Sequence, residues 1–173
     1  MKKVNILLLL LVCVGVMPVF FVGCKGGYSD EWLYNEHVAT VYVEMFDNRT
    51  FRRGLEYTLT DALVKQIEAQ TPYKVVSDRS IADSVLSGTV VDISESVLSG
   101  ERETGLPLEK LDQATAQVSW KNLRSGEYIV TDMQVKASAS YSEFQDQKLE
   151  YANDVTANKL AERIVEMMQL DWE

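Results

Sequence analysis

The chain has 173 residues, a formal net charge of −9 at pH 7 and a single histidine. This acidic balance argues against nucleic acid as a partner, because binding a phosphate backbone needs a concentrated positive surface. It argues equally against a polybasic attachment to anionic lipid.

The chain begins with a leader-like segment. Two lysines precede an uncharged, mostly apolar run that ends at residue 23. The run is nearly long enough to span a bilayer, so a retained membrane helix is one interpretation. The short basic start, Pro18 inside the run and the abrupt end favour a lipoprotein signal peptide over residues 1–23.

A lipid-bearing cysteine is expected at Cys24. The small residue Gly23 before it resembles the bacterial lipobox, although Phe21 stands where an aliphatic residue is usual. The resemblance implies a diacylglycerol and an N-acyl chain on Cys24 as the sole attached groups. Lys25 follows in place of the aspartate that resembles an inner-membrane retention signal, which implies the outer membrane, facing the periplasm.

The chain that starts at Cys24 would have 150 residues, with 15 basic and 26 acidic side chains and a net charge of −11. It would contain no second cysteine, so an intramolecular disulfide is excluded. Residues 24–37 are polar and are predicted to form a lipidated tether, followed by a single domain over residues 38–173.

A strand and a helix open this domain. Val41, Val43 and Met45 alternate with polar residues, which predicts a strand that ends in the polar turn 46–50. Apolar side chains then recur at helical spacing, at Leu55, Leu59, Ala62, Leu63 and Ile67. Pro72 ends this helix, because the residue before a proline is pushed out of helical geometry.

The middle of the chain predicts strands and one long loop. Residues 73–76 and 84–98 are expected to be strands, with a turn or a single helical turn over residues 77–83. Residues 99–113 contain two glycines, a proline and several charges, and are predicted to form a loop.

The last third predicts a hairpin and a helix. Residues 114–121 and 133–141 alternate apolar and polar side chains on either side of the turn 123–127. Residues 149–170 are predicted to be helical, with one apolar stripe formed by Ala157, Leu160, Ala161, Ile164, Val165 and Met168.

These elements predict an α+β fold in the order β-α-β-β-β-β-α. Because each strand has one apolar side, both helices should cover the same face of a mixed four- or five-stranded sheet, as a two-layer sandwich. Small strand residues would let the helices pack close to this face, namely Ala114, Ala116, Ala137 and Ala139. The other face would be polar.

The sequence offers little for catalysis. His37 is the lone histidine, and no serine lies in a GxSxG context. No His/Cys cluster has metal-ligand spacing, and no glycine-rich loop suits a phosphate. We therefore expect a binding or assembly protein and not an enzyme.

The polar sheet face is the candidate binding surface. An antiparallel sheet commonly exposes one solvated side, so a face that contacts only water is the alternative interpretation. Lys121, Arg124 and Lys136 fall on or beside it and are the candidate ligand-binding residues, since basic side chains pair well with phosphate groups.

The chain resembles the lipopolysaccharide-assembly lipoprotein family, the small subunit of the outer-membrane lipopolysaccharide translocon. The resemblance covers about residues 24–93. It is carried by Gly27-Tyr28, by the VxVxxFxNxT pattern of Val41, Val43, Phe46, Asn48 and Thr50, by Gly54-Leu55-Glu56, Leu59-Thr60 and Leu63, by Thr71-Pro72-Tyr73, and by the segment from Ala82-Asp83 to Gly88. Beyond this region only the order of elements agrees.

The resemblance implies a plug inside the β-barrel subunit that helps the barrel fold and contacts lipopolysaccharide on its way to the cell surface. The barrel protein, lipopolysaccharide and the membrane would then be its partners. A free-standing periplasmic accessory lipoprotein of another envelope or secretion system is the alternative, which copurification with a large β-barrel would distinguish.

Overall fold

The computed structural model describes residues 33–35, 37–102, 104–142, 145 and 147–169, all within one compact unit that spans Glu31–Glu173. The predicted signal peptide, Cys24 and most of the predicted tether lie outside these residues. None of the helices in the described part has the length and apolar character needed to cross a membrane.

The described residues contain six strands and two helices. The strands are β1 Thr40–Val43, β2 Asp47–Asn48, β3 Lys74–Val75, β4 Ser84–Gly100, β5 Pro107–Asn122 and β6 Tyr128–Tyr141. The helices are α1 Leu55–Gln70 and α2 Leu149–Met167, and a single 3-10 turn covers Arg79–Ile81. Apart from the two-residue strand β2, this is the predicted order of elements.

The strands form one mixed sheet in the order β3-β1-β4-β5-β6, with β2 also beside β4. β1 runs parallel to β3 and to β4, whereas β4, β5 and β6 are antiparallel. A parallel pair needs a crossover, and α1 supplies it between β1 and β3. The mixed sheet and the β5–β6 hairpin are confirmed.

Both helices lie on one face of the sheet. They pack on each other, and their apolar stripes share one buried cluster with the sheet. The predicted α2 stripe is fully buried, and α2 lies over β5 and β6. The small residues of these strands are buried as expected: Ala114, Ala116, Ala137 and Ala139.

The other side of the sheet, the open face, is polar. Half-buried polar residues on β4 and β5 alternate with the core positions: Ser87, Thr89, Gln117 and Ser119. The predicted wettable surface is therefore present, and it is framed by the long strands β4, β5 and β6.

The predicted loop over residues 99–113 is wrong. β4 continues to Gly100 and β5 already begins at Pro107, so only residues 101–106 connect them. A proline is tolerated as the first residue of a strand because no ladder bond is lost there. From Ser94 to Gly100 β4 is exposed on both faces, so this end of the β4–β5 hairpin lacks the alternation of polar and apolar residues on which the sequence argument relied.

Two methionines assigned to the core face are instead half-exposed. β1 ends at Val43, so Met45 turns outward and Phe46 is buried in its place. Met133 follows a register shift in β6, where Asp132 adopts a positive φ of 48°. Bulges of this kind re-aim the neighbouring side chains.

Tyr34, which the sequence places in the tether, belongs to the folded body. Its side chain is only 6% exposed and its hydroxyl donates to the carbonyl of Gln70 at 3.0 Å. Its ring meets that of Tyr73 edge-on, with centroids 5.6 Å apart. The aromatic end of the tether is therefore docked where α1 ends.

Candidate functional site

The β5–β6 turn forms one wall of an open cleft at the end of the sheet where the chain enters. Asn122 builds the turn, because its Oδ1 accepts from the backbone N–H groups of Arg124 and Ser125 at 2.8 and 3.1 Å. Gly126 closes the turn at a φ of 77°, a conformation that glycine adopts without strain.

Asp83 lies on the opposite wall and organises this end of the sheet. Its Oδ2 accepts from the backbone N–H groups of Ala39 and Thr40, each at 3.0 Å. Burial alone would raise the pKa of the Asp83 carboxyl, but these hydrogen bonds, the Thr40 hydroxyl and Arg124 together lower it. The charged Asp83 carboxylate therefore caps the start of β1, which means that it accepts hydrogen bonds from the backbone N–H groups there.

Arg124 is held by this cap. Its Nη2 lies 2.5 Å from Oδ1 of Asp83, whose side chain is 7% exposed while that of Arg124 is 72% exposed. The cleft between the two walls has a volume of about 700 Å³ and is also lined by His37 and Tyr128. A phosphate that bound Arg124 would have to compete with the Asp83 carboxylate.

Lys121 and Lys136 occupy different parts of the sheet. Lys121 lies opposite Tyr128, with its Nζ 5.0 Å from the ring centroid. Lys136 lies opposite Thr115, six positions away along β5, which is about 20 Å at ~3.3 Å per residue. The three predicted ligand-binding residues therefore do not form one cluster.

An acidic cleft separates the two lysines on the open face. It has a volume of about 410 Å³ and lies over Gln117 and Ser119, whose positions on β5 are between those of Thr115 and Lys121. Its charged lining is Glu44, Asp47, Arg49 and Asp132. Three of these four side chains are acidic, so the centre of the open face carries net negative charge despite Arg49.

An ionic cluster lies on the helix-covered face of the hairpin and was missed by the sequence argument. Asp112 is completely buried and pairs with Arg52, which also donates to Oδ1 of Asn153 at 3.2 Å. Glu95 accepts from the hydroxyl of Tyr141 at 2.8 Å.

The cluster spans four elements. Lys110 lies 3.5 Å from Glu95, and Nη2 of Arg52 lies 4.0 Å from it. The Tyr141 hydrogen bond, opposed by burial and assisted by Lys110 and Arg52, lowers the pKa of Glu95. Because residues 99–113 were assigned to a loop, the alternation that points Asp112 and Lys110 toward the helices was not recognised.

No catalytic or metal-binding arrangement emerges from the described part of the chain. Within it, no group of three or more His, Cys, Asp or Glu side chains could hold a metal ion. His37 is exposed, and its backbone N–H donates to Oδ1 of Asn35 at 3.0 Å.

Similar folds occur in many solved structures, including the following two. A hypothetical protein of Chlamydia trachomatis has a TM-score of 0.56 and 10% identity, with 75% of this chain and 95% of that chain covered. Rare lipoprotein B of Shewanella oneidensis has a TM-score of 0.50 and 14% identity, with 75% and 92% covered. At these identities the likeness concerns the fold alone.

No curated protein matches the sequence. The family model for LptE, described as lipopolysaccharide-assembly, matches residues 38–168, which is nearly the whole described body. This range includes the strand–turn–helix opening, the open face and α2. The chain belongs to the LptE lipopolysaccharide-assembly family.

Proposed function

We propose that this chain is an outer-membrane lipoprotein that plugs the lumen of a β-barrel, helps that barrel fold and contributes to the delivery of lipopolysaccharide to the cell surface. Family membership supports the assembly role. The plug role rests on the physical match between this body and such a lumen.

The polar open face is the observation that carries the proposal. The interior of a transmembrane β-barrel is polar, so a body seated there needs a wettable surface. The open face offers hydroxyl and amide groups at Ser87, Thr89, Gln117 and Ser119, all half-buried and held by the sheet. These groups can exchange water for polar partners on a barrel wall with little loss.

The length of the sheet also suits the proposal. β4 has 17 residues and so extends about 50 Å at ~3.3 Å per residue. Its first residues pair with β1, next to the chain entry, and its last residues form the far hairpin. The apolar band of an outer-membrane barrel is about 25 Å tall, so the body is long enough to occupy its full height.

The far end of the β4–β5 hairpin is not uniformly polar. Four apolar side chains are exposed there: Val97, Leu98, Leu106 and Leu108. Exposed apolar groups that lie close together are typical of contact surfaces. In the proposed complex they contact the barrel protein at the end of the sheet opposite the start of β1.

The decisive experiment is purification of the tagged full chain from detergent-solubilised outer membrane. We expect a large β-barrel protein to copurify in a fixed ratio, and Ser87→Lys/Gln117→Lys, which places bulky charges on the open face, to reduce its yield. Glu68→Lys, which makes the same change of +2 in net charge at an exposed position of α1, should leave the yield unchanged. Recovery without any barrel would contradict the plug role and favour the free-standing accessory lipoprotein.

Contact with lipopolysaccharide through Lys121, Arg124 and Lys136 is part of the proposal. Because Arg124 is paired with Asp83, we expect Lys121→Ala and Lys136→Ala to weaken binding of lipopolysaccharide phosphate more than Arg124→Ala does. Lys65→Ala/Lys74→Ala is the control for net charge. Unchanged binding in all three single variants would remove these residues from the ligand contact.

The lipid anchor at Cys24 is tested separately. Mass spectrometry of the mature protein should show a chain that begins at Cys24 and carries three acyl chains. An uncleaved chain with an unmodified thiol would contradict the anchor without affecting the barrel experiment.

A further inference from the structure

The loop between β2 and α1, residues 48–54, concentrates positive charge on an acidic chain. Its sequence, NRTFRRG, places Arg49, Arg52 and Arg53 within five positions, whereas the whole chain has a net charge of −9. Phe51 lies in the middle of the three arginines. Aromatic residues, phenylalanine among them, and arginine are enriched at protein interfaces relative to the rest of the surface.

The loop is held in one conformation by Asn48. Its Oδ1 accepts from the backbone N–H and the hydroxyl of Thr50 at 2.8 and 2.7 Å. Its Nδ2 donates to the carbonyl of Arg52 at 2.7 Å and to Oε2 of Glu56 at 2.6 Å. Glu56 also accepts from the N–H of Gly54 at 3.0 Å, so the loop is tied to the first turn of α1.

This framework directs the loop side chains to different sides. Arg52 turns inward to Asp112 and Asn153. Arg49 and Arg53 remain exposed, and the guanidinium of Arg53 donates to the carbonyl of Asn48 at 3.2 Å. Phe51 is fully exposed, more than any other large apolar side chain of the described residues. A loop that is already rigid loses little conformational entropy when it binds a partner.

We propose that residues 49–53 are a docking loop, in which Phe51 inserts into an apolar pocket of a partner protein while Arg49 and Arg53 pair with carboxylates at the rim of that pocket. The partner is defined by this chemistry, and the proposal does not require it to be a barrel.

Charge and rigidity favour a protein over the two other surfaces that the loop could meet. Two arginines add only about 1 kcal/mol each at an anionic membrane, and the acidic remainder of the chain opposes that approach. A bilayer also needs no fixed loop geometry, whereas a pocket does. A symmetric contact with a second copy would place Arg49 and Arg53 of both copies against each other.

The test is photo-crosslinking of the full chain in the cells that make it. Phe51→p-benzoylphenylalanine is expected to give one major protein adduct, with the attached peptide rich in Asp or Glu. Adding Arg49→Glu/Arg53→Glu should reduce its yield at least tenfold. Lys65→Glu/Lys74→Glu gives the same change in net charge on exposed side chains outside the loop and should leave the yield unchanged.

The same photoreactive residue at Ile81, which is also exposed but lies in the 3-10 turn, is the positional control and should not give this adduct. Adducts with lipid alone, adducts with a second copy, no adduct, or equal yields after the charge reversal would overturn the docking loop. Phe51→Ala should leave the thermal midpoint unchanged, since the ring contacts water only. A barrel that copurifies with a chain whose loop forms no adduct would leave the plug role intact.

Discussion

Phe46 and Gly88 touch across the core so closely that any side chain at position 88 would force the ring or the backbone to shift. A Cβ on Gly88 would lie 2.7 Å from Cζ of Phe46 and 2.9 Å from the carbonyl oxygen of Gln117. The Phe46 ring packs on β4 and so fixes the chain just before β2. The loop at residues 48–54 begins at the end of β2. Two residues of the motif shared with the family, Phe46 and Asn48, thus hold this segment by packing and by hydrogen bonds.

Gly88→Ala is expected to destabilise the fold by about 1–3 kcal/mol, because the ring and the β5 backbone must both shift. The midpoint of urea unfolding should fall with little change in slope. Ser87→Ala is the control, since Ser87 lies on the open face and should change stability by less than about 0.5 kcal/mol. Equal midpoints for Gly88→Ala and the wild type would contradict the tight contact.

The Asp83 cap predicts an acid-sensitive stability. Asp83→Asn removes a buried charged acceptor of two backbone hydrogen bonds and should cost about 1–3 kcal/mol at neutral pH. The folded-state pKa of Asp83 is lower than its ordinary value of 3.8. Its contribution is therefore present above that value and is lost as the pH falls through the folded-state pKa. The difference in unfolding free energy between wild type and variant should shrink from about pH 5 to about pH 3.

Arg124→Ala removes the ion pair with Asp83 but leaves the backbone hydrogen bonds of Asp83 in place. Because Arg124 is mostly exposed, its loss should cost less than about 1 kcal/mol at any pH. An acid dependence that disappears in Arg124→Ala, as it must in Asp83→Asn, would show that the ion pair, and not the backbone cap, is responsible.

Most of the fold could be predicted because its periodicity is strong. The α1 stripe repeats every four residues, and Pro72 marks the end of that helix, which stops at Gln70. The alternation in β5 and β6 likewise identified the hairpin. These patterns arise because one face of each element is buried, so they persist wherever the core extends.

The end of the β4–β5 hairpin could not be predicted for the same reason. Beyond Glu95 every residue of β4 is exposed, so burial no longer selects apolar residues on one face of that strand. Asp112 and Lys110 lie toward the helices yet are charged, because Arg52 and Glu95 neutralise them. Only the tertiary contact makes a charged residue suitable there.

The candidate site was predictable in type but not in arrangement. The polar open face follows from alternation, but the distance between Lys121 and Lys136 depends on register and on the bulge near Asp132. The pairing of Arg124 with Asp83 joins residues 41 positions apart in the chain, which no local pattern reveals.

The buried Asp112 depends on Arg52 for its charge compensation. Arg52→Ala is expected to cost about 3–5 kcal/mol, because an uncompensated carboxylate would remain inside the protein. Chemical denaturation measures this directly. Arg52→Met/Asp112→Leu removes both charges and should recover most of the loss.

The double variant also distinguishes the contribution of the Arg52 charge from that of the packing of its aliphatic stem. If Arg52→Ala and the double variant are equally unstable, the stem of Arg52 and not its charge stabilises this end of the sheet. Lys65→Ala, which breaks an exposed pair with Asp61, should cost less than about 1 kcal/mol and provides the scale for a surface ion pair.

The outer edge of β6 is covered by two cations of α2. Lys159 donates through Nζ to the carbonyl of Ser138 at 3.0 Å, and Arg163 donates to the carbonyl of Lys136. β6 ends the sheet, so these carbonyls would otherwise be available to a strand of another molecule. The two side chains occupy acceptors that edge-to-edge pairing requires.

Lys159→Ala/Arg163→Ala should therefore increase self-association, because the freed carbonyls can accept from the edge of a second copy. Sedimentation velocity in detergent should show a concentration-dependent dimer or larger species that the wild type lacks at the same concentration. Lys159→Arg/Arg163→Lys keeps both donors and should behave as the wild type. Lys65→Ala/Lys74→Ala makes the same change in net charge elsewhere; if it associates equally, the change in net charge and not the open edge drives association.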